Sequence, residues 1–359
     1  MKLLKRLALL AILALLLRGL GALGVDAALE HMIQTAMGDE TLVESAVLSQ
    51  SSLLMATAEA SDLPELEAAE PDDETLYERR YTETPAPAED EPPVHTPRVA
   101  ERLPAVTLTG DERTPSAAGI YVRNHTTHEI NIEALLAEPL RFDPAADGQP
   151  TVLILHTHGT ESFEPCADYW YENADNYRST DKNLNITRVG REVAAVFEAR
   201  GIRVVHSLEF HDYPSFRGSY GRSLDTARRY LEAYPEIQII FDIHRDAITN
   251  ASGQYVRTMA EIEGYDSAQV MLVVGTDHAG LDHPDWRENL KFALQLQAAM
   301  VDFHPTFARP LSLREERFNA HLAPGAVLIE IGTCANTLQE ALTASRFFAE
   351  IAADIILGV

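Results

Sequence analysis

"TVLILHTHGTE", residues 151–161, decides what kind of fold this chain makes. Its first five residues are an apolar run without polar alternation, too short for a helix. Such a run fits a strand buried on both faces, as in a parallel sheet covered by helices. The run stops at His156 and His158, with Glu161 three residues past the second histidine. The same kind of run returns as "IRVVH" (202–206), "IQIIFDI" (237–243), "VMLVV" (270–274) and "AVLIEI" (326–331). Helical patterns lie between them. Val189, Val193, Val196 and Phe197 mark one face, ended by Gly201 where a left-handed residue closes a helix. Leu224, Ala227 and Leu231 precede Pro235, and Trp286, Leu290, Ala293, Leu294 and Met300 mark a third helix. Thr337 with Glu340 three residues on is a capping-box spacing that opens the last helix. Strands alternating with helices predict an α/β domain with a mostly parallel sheet flanked by helices.

The 359 residues are 46% hydrophobic, enough for a real core, and carry a formal net charge of −26. That charge excludes a nucleic-acid partner, because phosphate binding needs a basic face. The acidity is uneven. Residues 25–104 hold 19 Asp/Glu against four Arg and no Lys, a net −15. This Pro/Ala-rich stretch buries too little apolar area to offset chain entropy and reads as an extended linker. Ahead of it, Lys2, Lys5 and Arg6 precede an apolar run from Leu7 to Leu17 that is broken by Arg18. Eleven residues suit a signal-peptide core rather than a full bilayer span. The segment has no clean Ala-x-Ala cleavage site. Residues 1–24 are therefore read as an export signal, cleaved or kept as a membrane anchor. The remaining residues, 105–359, are read as the folded domain that carries the candidate site residues. Cys166 and Cys334 sit far apart, outside any metal or redox spacing, and are read as unpaired thiols.

In parallel α/β sheets, sites gather at the carboxyl ends of strands. His156, His158, His244 and Glu330 all fall at or near such ends. His158-Gly159-Thr160-Glu161 has a His-x-x-Glu spacing, and a turn there can bring an imidazole and a carboxylate to one ion. His244 of "IIFDIHRDA" is the third ligand, with Asp242 or Asp246 accepting from its other ring nitrogen. Glu330 interrupts an apolar strand, where a carboxylate is costly without a partner or a purpose. Beside a metal-activated water it is a general base. Alone, each residue is more often a satisfied polar group; their convergence on three strand ends carries the reading. Arg178 and Arg245 lie near the site. They either hold substrate carboxylates or form structural ion pairs with Asp181 or Asp246. "DYPSFRGSYGR" (212–222) is either a cleft-lining loop or a plain connection.

"LILHTHGTESF", "YRSTDKNLNITRVGREV", "HDYPSFRGSYGRS", "FDIHRDA", "VMLVVGTD", "HPDWRENLKFALQLQ" and "APGAVLIEIGTCANTLQEA" together resemble the stage II sporulation protein P family. The resemblance spans roughly residues 150–355, in order, and stops short of the linker. It implies a membrane-anchored cell-wall hydrolase at the sporulation septum, acting in engulfment. The implied fold is zinc amidase-like (phosphorylase/hydrolase-like). The implied activity is zinc-dependent N-acetylmuramoyl-L-alanine amidase, with cleavage of peptide cross-links besides. The implied partners are peptidoglycan, stage II sporulation protein D and stage II sporulation protein M. It places the metal, Zn2+, at "HTHGTE" and His244, with Glu330 as catalytic acid/base. Between His156 and His158 it favours His158, since related amidases carry a His-Gly pair after the first strand. His156 is then a substrate contact. Glu161 is the second ligand and Asp181 the alternative. Thr333, Cys334 and Ala335 depart from the Gly/Asn-rich turn usual in the family. Two rivals remain: a zinc carboxypeptidase-like peptidase, whose terminal carboxylate would sit on Arg245, and a wall-binding scaffold with a vestigial site.

Overall fold

The computed structural model describes residues 103–110, 116–117, 119–142, 152–166, 168–171 and 177–359. The signal and linker readings lie almost wholly on residues 1–102, outside the described residues. Eleven strands occur among the described residues: β1 (Ala105–Val106), β2 (Ser116–Ala117), β3 (Ile120–Asn124), β4 (Val152–Leu155), β5 (Val204–His206), β6 (Ile239–Asp246), β7 (Arg257–Ile262), β8 (Tyr265–Ala268), β9 (Val270–Gly275), β10 (Leu311–Arg314) and β11 (Gly325–Thr333). Five helices accompany them: α1 (Ile132–Ala137), α2 (Ile186–Ala199), α3 (Ser219–Ala233), α4 (Trp286–Phe303) and α5 (Leu338–Leu357).

Eight strands form the main sheet in the order β2-β3-β10-β9-β11-β6-β4-β5. Five of its seven neighbouring pairs are parallel; β2–β3 and β9–β11 are antiparallel. The mostly parallel α/β class therefore holds, with a reversal at β9–β11. The carboxyl ends of β4, β6 and β11 thus share one end of the sheet, opposite those of β9, β10 and β3. The antiparallel hairpin β7–β8, with β1 beside β7, forms a separate small sheet.

Strand periodicity sorts the core into two layers. Val152 and Ile154 join Phe241, Ile243, Ile329 and Ile331 in the larger layer, with residues of α2, α4 and α5. Leu153 and Leu155 join Ile240 and Ala326 under Ala227 and Tyr230 of α3. Helix ends follow the local chemistry. Thr337 accepts from Glu340 N while the Glu340 carboxylate receives the Thr337 N–H, completing the capping box of α5. Gly201 follows α2 at φ +80°. Register slips along β11 between Glu330 and Thr333, where Gly332 sits at φ +69°. That bulge re-aims the chain just after Glu330. Among the described residues no helix is long and apolar enough to cross a membrane.

Candidate active site

β4 ends at Leu155, and the chain turns through residues 156–160. That turn separates the two histidines. His156 continues the face of Ile154, beneath α2, and is fully buried. Its Nδ1 lies 2.8 Å from Ile243 O and its Nε2 2.8 Å from His206 Nε2. The pair fits under α2 because Gly190 has no side chain; a Cβ there would come within 2.5 Å of His156 Nε2. The expectation that residues 156 and 158 share the site assumed an unbroken strand. With the strand broken, His156 is closed off from any substrate.

His158 emerges on the α3 side. Its Nδ1 is 3.6 Å from Glu161 Oε1, and its Nε2 3.2 Å from Ser219 Oγ at the start of α3. His244, near the end of β6, places Nδ1 3.4 Å from Glu161 Oε2 and Nε2 2.9 Å from Asp242 Oδ1. Asp242 is itself fixed by Thr157, whose N–H and hydroxyl donate at 2.8 and 2.6 Å. Of the two aspartates expected behind His244, Asp242 is the one that lies against its ring, at ion-pair distance but without hydrogen-bond alignment to Nε2. Asp246 accepts instead from Arg309 at 2.8 Å.

One donor atom each from His158, Glu161 and His244 lie within 4.8 Å of one another. Metal–ligand bonds of about 2.0–2.2 Å at tetrahedral angles put ligand atoms ~3.4 Å apart. His158 Nδ1 lies 3.6 Å from one Glu161 oxygen and His244 Nδ1 3.4 Å from the other, near that spacing. Burial opposes ionising Glu161, but Arg245, His158 and His244 outweigh it and hold its carboxyl well below the usual range. Burial likewise opposes charging His244, yet Asp242 and then Glu161 raise it well above the ordinary imidazole value. Two imidazoles, a carboxylate and a carboxylate behind one imidazole form a donor set that fits a divalent metal with an open position.

Glu330 lies in register with His244 on the adjacent strand and faces the same side. Its Oε2 is buried without a hydrogen-bond partner. Burial, reinforced by Asp246, pushes its carboxyl up to about 8. A buried carboxyl oxygen without a protein partner is costly, and its place beside His244 fits a residue that acts on a metal-activated water.

The arginines serve the protein itself. Arg245 is buried, donates to Ser162 O and Tyr177 O at 3.0 and 2.9 Å, and its backbone N–H reaches Glu161 Oε2 at 3.2 Å. Arg178 pairs with Asp212 and lies 3.7 Å from Glu161. Asp181 is exposed in a turn, accepting from Asn183 N, and is not in the ligand cluster. Cys166 and Cys334 are free thiols.

Sequence reasoning gave Asp212 no role of its own and left the 212–222 stretch open between a cleft-lining loop and a plain connection. Asp212 accepts from Thr160 Oγ1 at 2.6 Å and so fixes the His158–Glu161 turn. Phe216 stacks on His158 at 4.5 Å, and Tyr220 meets it edge-on at 5.6 Å. All three come from the 212–222 stretch, whose aromatic and Pro/Gly content was the available signal.

Several solved amidases are similar in structure. The CwlD amidase of Clostridioides difficile, solved with the GerS lipoprotein, has 15% identity and TM-score 0.37, covering 58% of this chain and 98% of that chain. The N-acetylmuramyl-L-alanine amidase Ami1 of Mycobacterium smegmatis has 15% identity and TM-score 0.36, covering 60% and 98%. The catalytic domain of CwlV, an N-acetylmuramoyl-L-alanine amidase of Bacillus (Paenibacillus) polymyxa, has 13% identity and TM-score 0.31, covering 58% and 97%. No curated protein matches. The profile of the stage II sporulation protein P family matches residues 41–353. The match begins well inside the acidic segment, so the family likeness is not confined to residues 150–355 as first expected. The chain belongs to the stage II sporulation protein P family.

Proposed function

We propose that the domain is a zinc-dependent N-acetylmuramoyl-L-alanine amidase, hydrolysing the amide between the lactyl group of muramic acid and L-alanine. The observation that carries this reading is the His158–Glu161–His244 cluster with the partnerless Glu330 oxygen beside it. When bound, zinc supplies Lewis acidity toward the amide carbonyl and toward water.

The chain's own residues supply the rest. His158, Glu161 and His244 would hold the metal, Asp242 is paired with His244, and Arg245, with His158 and His244, holds Glu161 ionised. With the charge of a bound dication offsetting the burial that otherwise keeps it protonated, Glu330 would accept a proton from the attacking water at its carboxylate as the new C–O bond forms. It returns that proton to the nitrogen as the C–N bond breaks, and the second proton of the water passes from the new lactyl carboxyl group to the released amine, leaving a carboxylate and an ammonium group. The carboxypeptidase-type reading needs a free arginine for a terminal carboxylate. Arg245 is buried on backbone carbonyls and Glu161, which disfavours that reading.

Family membership supports a role in septal wall remodelling during engulfment, with stage II sporulation proteins D and M as partners and peptide cross-links as a second target. The N-terminal apolar segment would tether the chain to the membrane, with the acidic linker giving reach to the wall and the domain outside the cytoplasm. Metal analysis tests the site. Purified protein should hold close to one zinc, and His158→Ala or His244→Ala should remove it; retention in both variants contradicts the assignment. Protease added to intact, wall-stripped cells should degrade the domain, and protection would contradict the topology.

A further inference from the structure

Residues 103–108, where the acidic segment meets the domain, lie as a strap along β7. β1 pairs parallel with β7, Ala105 opposite Arg257 and Val106 opposite Thr258. Two paired residues are short for a strand, and side chains hold the strap at both ends. At the first end, Arg257 N donates to Pro104 O at 2.8 Å and Arg257 Nε to Leu103 O at 3.1 Å. At the second, the Gln269 amide brackets Leu108, accepting from its N–H at 2.7 Å and donating to its carbonyl at 3.0 Å.

The same two places hold the turn that follows Glu330. Gln269 O accepts from Gly332 N at 3.0 Å. Val256 O, beside Arg257, accepts from Thr333 Oγ1 at 2.7 Å. Thr258 N donates to Asn336 Oδ1 at 3.1 Å, and Thr333 N donates to that oxygen at 2.9 Å. Arg257 Nη1 and Asn336 Nδ2 donate to the two carboxylate oxygens of Glu340, at 2.5 and 2.9 Å. Gln269, Thr258, Thr333 and Asn336 are all buried. At that depth no water replaces a lost partner, so each of these bonds is costly to break. The turn also depends on them, because the regular ladder of β11 is interrupted between Glu330 and Thr333.

We infer that the strap is a positioning element for the general base: by engaging Arg257 and Gln269, residues 103–108 fix the 332–336 turn and, through it, the aim of Glu330. The inference rests on the amidase reading above for the role of Glu330. The metal cluster lies to the other side. Sheet order places β11 between β9 and β6, with Gln269 just ahead of β9 and His244 on β6. Releasing the strap therefore misdirects Glu330 and leaves the metal-ligating side chains in place. A catalytic group displaced by about 1 Å costs up to ~10²-fold in rate. Such a displacement is read in kcat and not in substrate affinity.

The test uses the full-length, zinc-loaded protein. Leu108→Pro removes the N–H that Gln269 accepts and changes no side chain of the buried network. Leu108→Ala keeps that N–H and is the conservative control. Gln269→Leu breaks the same contact from the domain side. Hydrolysis is measured on a disaccharide-pentapeptide below each variant's thermal midpoint, and hydrogen exchange is followed in peptides spanning residues 325–337. Leu108→Pro should keep its zinc, exchange faster in that span and lose roughly 10–100-fold in kcat, with KM within about twofold of wild type. Gln269→Leu should behave alike, and adding Leu108→Pro to it should cost little more, because both remove one contact. Leu108→Ala should match wild type in both readouts. Unchanged exchange in residues 325–337, or faster exchange with kcat unchanged, overturns the inference. A loss that falls on KM or on zinc content, or that Leu108→Ala shares, overturns it too. Exchange is read without hydrolysis. A wild type that cleaves no amide, with variants that still exchange faster in this span, would retain the strap's hold on the turn and refute the amidase reading alone.

Discussion

Replacing Glu330 with glutamine should stabilise the metal-free protein while removing its activity. Burial first, and Asp246 second, push the Glu330 carboxyl from 4.5 to about 8. The folded state therefore keeps a proton that the unfolded chain releases near pH 4.5. Between these two values the folded state binds one more proton than the unfolded state, so stability falls as pH rises. The displacement sets an upper limit of about 5 kcal/mol, fully expressed above pH 8. Glutamine keeps the volume and carries no charge. In chelator-treated protein, wild type and Glu330→Gln should unfold at similar urea concentrations at pH 5. By pH 8.5 the variant should lead by several kcal/mol. Activity of the zinc-loaded variant should fall about 10²–10⁴-fold. Parallel stability curves across this range would refute the claim that Glu330 is held in a site hostile to its charge.

Asp242→Asn, which unsettles both the contact behind His244 and the acceptor for Thr157, should weaken zinc affinity about 10–100-fold in a competitive chelator titration. Gly190→Ala forces a Cβ to within 2.5 Å of His156 Nε2 and 2.7 Å of His206 Nε2. Overpacking of about 1–3 kcal/mol should exceed the ~1 kcal/mol gained in helix propensity, lowering the thermal midpoint but not the zinc content. Thr337→Ala removes the cap of α5 and should cost about 1 kcal/mol in urea unfolding without changing KM.

Much of the fold was legible because both periodicities were strong. The five apolar runs became β4, β5, β6, β9 and β11, and Thr337 with Glu340 marked the start of α5. Strand direction was not legible. Nothing in "VMLVV" says that β9 runs against β11, since pairing is decided by where the following segments can pack. "IYVRN" and "LSLR" were too short and too polar to be separated from loops, although they became β3 and β10. At the site, residue types were legible and orientation was not. His156 and His158 differ only in lying before and after the turn that ends β4. Asp242 and Asp246 both follow the alternation of β6, and Thr157 beside the first and Arg309 beside the second separate their roles. Arg178 was expected to meet substrate or Asp181 and instead meets Asp212, a partner 34 residues away in sequence.

The most direct measurement of the central claim is the chemistry of the bond broken in purified peptidoglycan. Zinc-loaded wild-type protein should release stem peptides bearing new N-terminal L-alanine and leave muramic acid with a free lactyl carboxylate. Chelation, His158→Ala and Glu330→Gln should each abolish that release. Release of terminal amino acids instead, or new L-alanine termini that persist in Glu330→Gln, would contradict the account.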